Sequence, residues 1–343
     1  MADAEPLTDR ERRVLEAVVE IYIATAEPTG SQTVARRAAL GISPASIRSS
    51  MSDLEAKGYL YHPHTSAGRI PTDRAYRIYV DALMRRLPPD LRARETLEVE
   101  LGAAAASERL VARAAQVLGI LTQELGVAVA PSLDEIVLDR IDLVAVASDR
   151  ILLVLNLRSG AVRTIYVRVP GTIPRGQADA VQRILNERLS GHTLREIRAT
   201  VAERLRDVGG RSDVAELLDI ILAEGDGLFD LEESEPVMLG SASMLVDQPE
   251  FSSSERMRNL LTLTERRDVL REALAQRRHE GITITIGDEH GEPGLSGFTL
   301  VTATYRRGGA TGVIGVLGPT RMPYEKIIGL VEHTGRLVED FLQ

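Results

Sequence analysis

Residues 43–77 read SPASIRSSMSDLEAKGYLYHPHTSAGRIPTDRAYR, and this stretch decides the fold of the N-terminal region. Ser43 suits a helix N-cap, where its side-chain oxygen accepts from an otherwise unpaired N–H, and Pro44 suits the first helical position, where no N–H is needed. Ile47, Met51 and Leu54 follow at spacings of four and three, so they share one face. At about 100° per residue, Ala45, Arg48, Ser49 and Ser52 fall on the side or back of that stripe. They are small, polar or basic, and such a face can approach a major groove closely and still offer hydrogen bonds. The helix is expected to end at Gly58. A short extended run, Tyr59-Leu60-Tyr61, follows, then a turn-rich hairpin, PHTSAGRIP, and a Tyr/Arg-rich helix. An ordinary amphipathic surface helix would explain 43–58 alone. Helix, strand, wing and strand in this order predict a winged helix-turn-helix that reads DNA.

The preceding segments agree. Val14, Val18, Ile21 and Tyr22 form one stripe of a helix over Leu7 to Thr25, which Thr8 or Asp9 can cap. Pro28-Thr29-Gly30 breaks the chain, Ser31 is expected to cap a second helix, Gln32 to Leu40, and Gly41-Ile42 makes the tight turn before Ser43. In the wing, Ser66-Ala67-Gly68 is a loop tip where Gly permits unusual φ and close backbone approach. Arg69 beside it can reach a phosphate or the minor groove. The candidate DNA contacts are therefore Ser43, Ala45, Ser46, Arg48, Ser49 and Ser52 in the helix, with His64, Thr65, Ser66, Gly68 and Arg69 in the wing. His62 and His64 also admit a metal reading, but no Cys or third ligand is evident nearby, so the expectation is no metal and no cofactor.

Composition bounds the rest. A chain of 343 residues is long enough for two or three domains. It holds no Cys, which excludes disulfides and thiolate metal sites and agrees with a cytoplasmic protein. No apolar run approaches a membrane span, and MADAEPLTDRERR has no apolar core, so neither a membrane partner nor a secretory signal is expected. Aromatics are 3% with no Trp, a poor basis for stacking single-stranded nucleic acid. The net charge of −9 looks wrong for a DNA binder until it is divided. Residues 29–79 carry seven basic and three acidic side chains, so the positive charge sits on the proposed recognition helix and wing.

Farther along, Thr72 to Leu87 reads as a helix, and Leu87-Pro88-Pro89-Asp90 as a linker. A helical region is expected over 90–126. Strand candidates are IDLVAVA, ILLVLNL and AVRTIYVRV, then GITITIG (281–287), GFTLVTATYR (297–306) and TGVIGVLG (311–318). These antiparallel hairpins with flanking helices suggest an α+β sheet domain. Helices at 175–190, 193–207 and 211–223 separate the two strand groups and read as an insertion, the alternative being that they merely pack on the sheet. Leu185, Leu189, Leu205, Leu217, Leu218, Ile221 and Leu222 need an apolar partner, and the surplus is expected at a subunit interface. GVIGVLG is GxxGxxG rather than GxGxxG and closes a strand series instead of opening a crossover, which argues against a dinucleotide site. Arg321 could bind an anion, though a structural pairing with a carboxylate is favoured. No Ser/His/Asp or paired-carboxylate arrangement is legible, so no enzyme is expected.

The stretch PHTSAGRIPTDRAYRIYVDAL, the tail GVIGVLGPTRMPYEKII, Ser46-Ile47-Arg48 and Met51-x-x-Leu54-Glu55 resemble the bacterial heat-inducible transcription repressor HrcA family. Two features depart from that pattern: Ala75 stands where the family usually has Gly, and Ser49-Ser50 replaces an Asn-Val pair. The resemblance implies an α+β multidomain chain. Residues 1–88 would be the winged helix-turn-helix, 89–172 and 239–343 two parts of a GAF-like antiparallel α/β domain, and 173–238 an inserted helical dimerisation domain. It implies a homodimeric repressor on an inverted-repeat operator, CIRCE, ahead of chaperone operons, with the chaperonin GroEL as a partner that keeps it active. The alternative is a small-molecule-sensing regulator whose GAF-like domain binds a ligand.

Overall fold

The computed structural model describes the chain except residues 1–5, 65–67, 85–90, 103–106, 132, 161, 172, 206–211, 224–236, 279–280, 308–309 and 343. It is an α+β fold with two compact units. Unit 1 comprises 1–128, 237–304 and 313–341; unit 2 comprises 129–236, 305–312 and 342–343.

Unit 1 begins with α1 (Asp9–Thr25), α2 (Ser31–Arg37) and α3 (Pro44–Ala56), a two-stranded hairpin β1 (Leu60–Tyr61) and β2 (Ile70–Pro71), and α4 (Asp73–Leu83). Thr8 and Glu11 form a reciprocal cap at the start of α1: the Glu11 N–H donates to Thr8 Oγ1 and the Thr8 N–H to Glu11 Oε2. α2 starts one residue before the expected position. Its N-cap is Gly30, and Ser31 supplies no cap bond. The Thr72 hydroxyl does not cap α4 either; it donates to the carbonyls of Gly58 and Tyr59 and ties the helix start to the turn after α3. The linker at 87–90 lies outside the described residues.

α5 (Leu91–Gly102) and α6 (Ser107–Thr122) occupy the expected helical region, but it closes earlier than 126, because Leu125–Val129 is a fully buried strand, β3. β3 belongs to a five-stranded sheet with β7 (Val237–Leu239), β8 (Ile282–Ile286), β9 (Phe298–Arg307) and β10 (Ala310–Pro319), in the order β7-β3-β10-β9-β8. GVIGVLG lies inside β10. A Cβ on Gly315 would meet the backbone of Val301 and Thr302, so this glycine serves strand packing.

Unit 2 corrects the grouping of strands. β4 (Leu138–Ala147), β5 (Arg150–Leu157) and β6 (Val162–Arg168) do not join the five-stranded sheet; they form their own antiparallel sheet in the order β4-β5-β6. They therefore do not belong with the sheet domain, and the unit that holds the helices begins at Val129 rather than at the expected 173. Helices α7 (Arg175–Leu189), α8 (Leu194–Leu205) and α9 (Ser212–Ala223) close to their expected bounds pack with this sheet. Leu185, Leu189, Leu205, Leu217, Leu218 and Ile221 are all buried in one core with Ile141, Leu153, Leu155 and Val167. The expected surplus for a subunit interface is therefore absent from these six; the helices' partner is the sheet of their own chain. The Leu222 side chain lies outside the described residues.

The other face of that sheet carries several exposed apolar side chains. Val144, Leu152 and Tyr166 stand in register across the three strands. Val144, Val146, Val162 and Tyr166 are exposed, Tyr166 by 65%. Alternation along a strand puts these side chains opposite the buried Ile151, Leu153 and Val167.

Candidate nucleic-acid interface

α3 is held from both ends. Ser43 Oγ accepts from the Ser46 N–H at 3.1 Å, with Pro44 in the first turn. At the far end Gly58 takes φ +76°, its N–H reaches Glu55 O, and the Tyr59 N–H reaches Leu54 O. This paired closure satisfies two orphan carbonyls and needs a residue that adopts left-handed φ. Ile47, Met51 and Leu54 are buried against the neighbouring helices. The opposite side carries Ala45, Arg48, Ser49 and Ser52, all exposed, with Ser46 half-buried. Among the described residues the Arg48 guanidinium has no hydrogen-bond or ion-pair partner. Ser50 is fully buried, so of the Ser49-Ser50 pair only Ser49 faces outward.

The hairpin is more tightly built than its sequence shows. β1 and β2 pair Leu60 with Pro71 and Tyr61 with Ile70. Thr29, from the loop between α1 and α2, adds a bridge: it exchanges both backbone hydrogen bonds with Arg69 at 2.9 Å. Gly68 has no unusual φ. Its requirement is closeness, because a Cβ there would lie 2.5 Å from Pro28 O. His64 is exposed at the hairpin, and Thr65 and Ser66 lie outside the described residues.

Arg69 is not a free cation. Its Nε donates to Glu55 Oε2 at 3.1 Å and its Nη2 to Ser52 Oγ at 3.2 Å, and the side chain is 13% exposed. His62 Nδ1 sits 2.8 Å from Glu55 Oε1. The hydrogen bond with His62 and the charge of Arg69 hold the Glu55 carboxyl below its usual range. Glu55 thus joins α3 to both sides of the hairpin. A second, partly buried pair fastens the end of α3 to α1: Lys57 Nζ donates to Glu11 Oε1 at 2.9 Å. Lys57 and the Thr8 cap hold Glu11 down at about 2. Glu55, Lys57, Glu11 and Thr29 were missed as site-building residues, because pairings 14 to 46 positions apart leave no local pattern.

Two further basic side chains, Arg36 and Arg37, are exposed at the C-terminal end of α2. The signal that could have found them is the charge count over 29–79.

Comparison with known proteins places the chain. The description "HrcA protein C terminal domain" matches residues 108–328. The "Heat-inducible transcription repressor HrcA" of Chlorobium luteolum is 37% identical over 339 residues, covering 94% of each chain. This chain belongs to the HrcA family. The repressor of the same name from Chlorobaculum tepidum is 38% identical and covers 98% of each chain. A crystal structure described as a hypothetical protein superposes with a TM-score of 0.62 at 24% identity, covering 98% of this chain and 99% of its own. That likeness concerns the fold alone. No described helix is long and apolar enough to cross a membrane.

Proposed function

We propose that residues 6–84 form a winged helix-turn-helix and that the protein is a non-enzymatic, cytoplasmic, homodimeric transcription repressor. The observation that carries this reading is the outer face of α3: Ala45, Arg48, Ser49 and Ser52 are exposed on a helix whose opposite stripe is buried and whose ends are both capped. In the major groove Arg48 can donate two hydrogen bonds to guanine O6 and N7, while Ala45 and the serines allow close approach. Ser43 and Ser46 shape the helix start, which faces the duplex in this docking. Arg36 and Arg37 meet the phosphate backbone. His64, Thr65, Ser66 and Gly68 put the hairpin against the flanking backbone or minor groove, and Arg69 anchors it to α3.

One recognition helix reads only one side of a short site, so a two-fold dimer on an inverted repeat follows. The exposed Val144 and Tyr166, in one row with the half-buried Leu152 and with the exposed Val146 and Val162 beside them, support a second copy seated on the outer face of the β4-β5-β6 sheet. Family membership supports CIRCE as the operator ahead of chaperone operons, a GAF-like character for the five-stranded sheet domain, and GroEL as the partner. When heat fills the chaperonin with unfolded clients, active repressor falls and the chaperone genes are expressed. A salt-titrated binding assay on the inverted repeat, with and without GroEL, tests this. Specific binding with a steep salt slope, strengthened by GroEL, is expected. Equal affinity for scrambled DNA would overturn it. A second reading, regulation by a small molecule, is favoured by a cavity in the sheet domain.

A further inference from the structure

Unit 1 contains a cavity of about 280 Å³ between the helix Ser254–Glu265 and the loop 292–298. Its inner wall is apolar: Phe251 and Phe298 stack with ring centroids 6.0 Å apart, beside Leu263. Its polar lining carries Arg256, Asn259, Thr262, Arg266 and Ser296, with the exposed Glu292 as the one carboxylate there besides Glu250. Arg256 has no carboxylate partner among the described residues. Among the described residues Arg266 pairs only with the exposed Asp268, at 3.5 Å. An apolar wall with a few polar groups beside it is the usual construction of a small-molecule site, and this volume, just below the usual range, suits a small ligand.

Glu250 lines the same cavity but is not available to a ligand. It forms a two-pronged pair with Arg321, with one arm at 2.9 Å. The third guanidinium nitrogen of Arg321 donates to Ile23 O at 2.8 Å, in the last turn of α1. The sequence reading favoured a carboxylate for Arg321, and Glu250 is that carboxylate. A planar fork bound at both ends fixes position as well as charge. The cavity wall is thus two hydrogen-bonded steps from the helix that packs behind α3.

We propose that this cavity binds a small organic anion: a carboxylate on a flat apolar body. The body lies on Phe298 and Leu263, and the carboxylate is held by Arg256 with help from Arg266. Arg256 is the specificity residue, since only a carboxylate makes a charge-assisted hydrogen bond with its exposed guanidinium. Occupancy shifts Glu250, and through Arg321 the seat of α1. The binding half stands alone; the coupling half rests on the proposed DNA reading by α3.

The test uses the full chain and four probes: benzoate, phenylacetate, cyclohexanecarboxylate and, as the uncharged control, benzyl alcohol. Calorimetry and thermal melting without DNA read the binding half. Saturable binding by at least one carboxylate at millimolar concentration is expected, with benzyl alcohol weaker by about tenfold. Arg256→Ala should lose the same factor while melting cooperatively. Ser296→Trp, which fills the mouth from an exposed position, should abolish binding. Absence of binding by every carboxylate, or equal binding of the alcohol, overturns the proposal. Operator affinity with and without the bound probe reads the coupling half. A change of several-fold is expected, and no change overturns that half while leaving the binding result intact. A protein that binds no operator at all would instead overturn the DNA reading, which the melting data do not depend on.

Discussion

The helices of the N-terminal region and those of unit 2 carry equally regular apolar stripes, and both stripes are buried within the chain, yet the surfaces left exposed differ. In α3 the buried stripe is structural and the face behind it, Ala45, Arg48, Ser49 and Ser52, is polar or small and exposed on the helix itself. In α7, α8 and α9 the stripe is likewise consumed within the chain, by the β4-β5-β6 sheet, and the surface left over is the sheet's outer face. Periodicity shows that a helix has an apolar side. It does not show which surface covers that side, and the surface free for a partner is found only after the internal pairings are known.

That difference gives a direct contrast between two substitutions in unit 2. Leu218→Glu places a carboxylate in a core where Leu218 is 3% exposed, and should cost several kcal/mol and melt the unit, as followed by circular dichroism. A Leu218→Glu protein that stays folded as a monomer would return the interface to the helices. Tyr166→Glu, on the exposed face, should keep the fold and dissociate the dimer in sedimentation. Operator affinity should then drop by about a hundredfold or more as the half-sites lose their linkage. A Tyr166→Glu dimer with unchanged affinity would move the interface off this face.

Smaller effects separate reading from positioning in the N-terminal region. Arg69→Ala releases Glu55 and Ser52 and should lower stability by about 1 kcal/mol, weakening specific and non-specific binding together. With Arg69 already paired, the salt slope should not change. A slope flatter by about one unit would make Arg69 a phosphate contact instead. Glu11→Gln tests the α1–α3 clamp by pH. The folded carboxyl titrates at about 2 against an ordinary 4.5, so its stabilising contribution is complete above 4.5 and is lost as pH falls toward 2. The melting gap between wild type and Glu11→Gln should therefore be widest near neutrality and close over that window. A gap that does not narrow would remove the charge from the account.

Local signals were the legible ones. Ser43 as a cap, Pro44 behind it, the Thr8 cap of α1 and the six strand candidates all depend on residues a few positions apart, and each element formed where expected. Pairing was less legible. Nothing in IDLVAVA or ILLVLNL says which sheet it joins. The short connections at 148–149 and 158–161 held β4, β5 and β6 together as a sheet of their own. β3 escaped notice because LGVAV is a brief apolar run directly after a helix, with no alternation to mark it. At the candidate site the outward residues of α3 were readable from the helical period. The clamp on Arg69 was not, since it depends on Glu55 and Thr29 meeting the hairpin in space.

The central claim is that the outer face of α3 reads base edges. Arg48→Ala, compared with wild type on the operator and on operators altered one base pair at a time, tests it most directly. Specific affinity should fall by about 1–3 kcal/mol, preference should relax at one position in each half-site, and non-specific binding should change little. A folded Arg48→Ala protein with the wild-type affinity and base preference would contradict the assignment of this face.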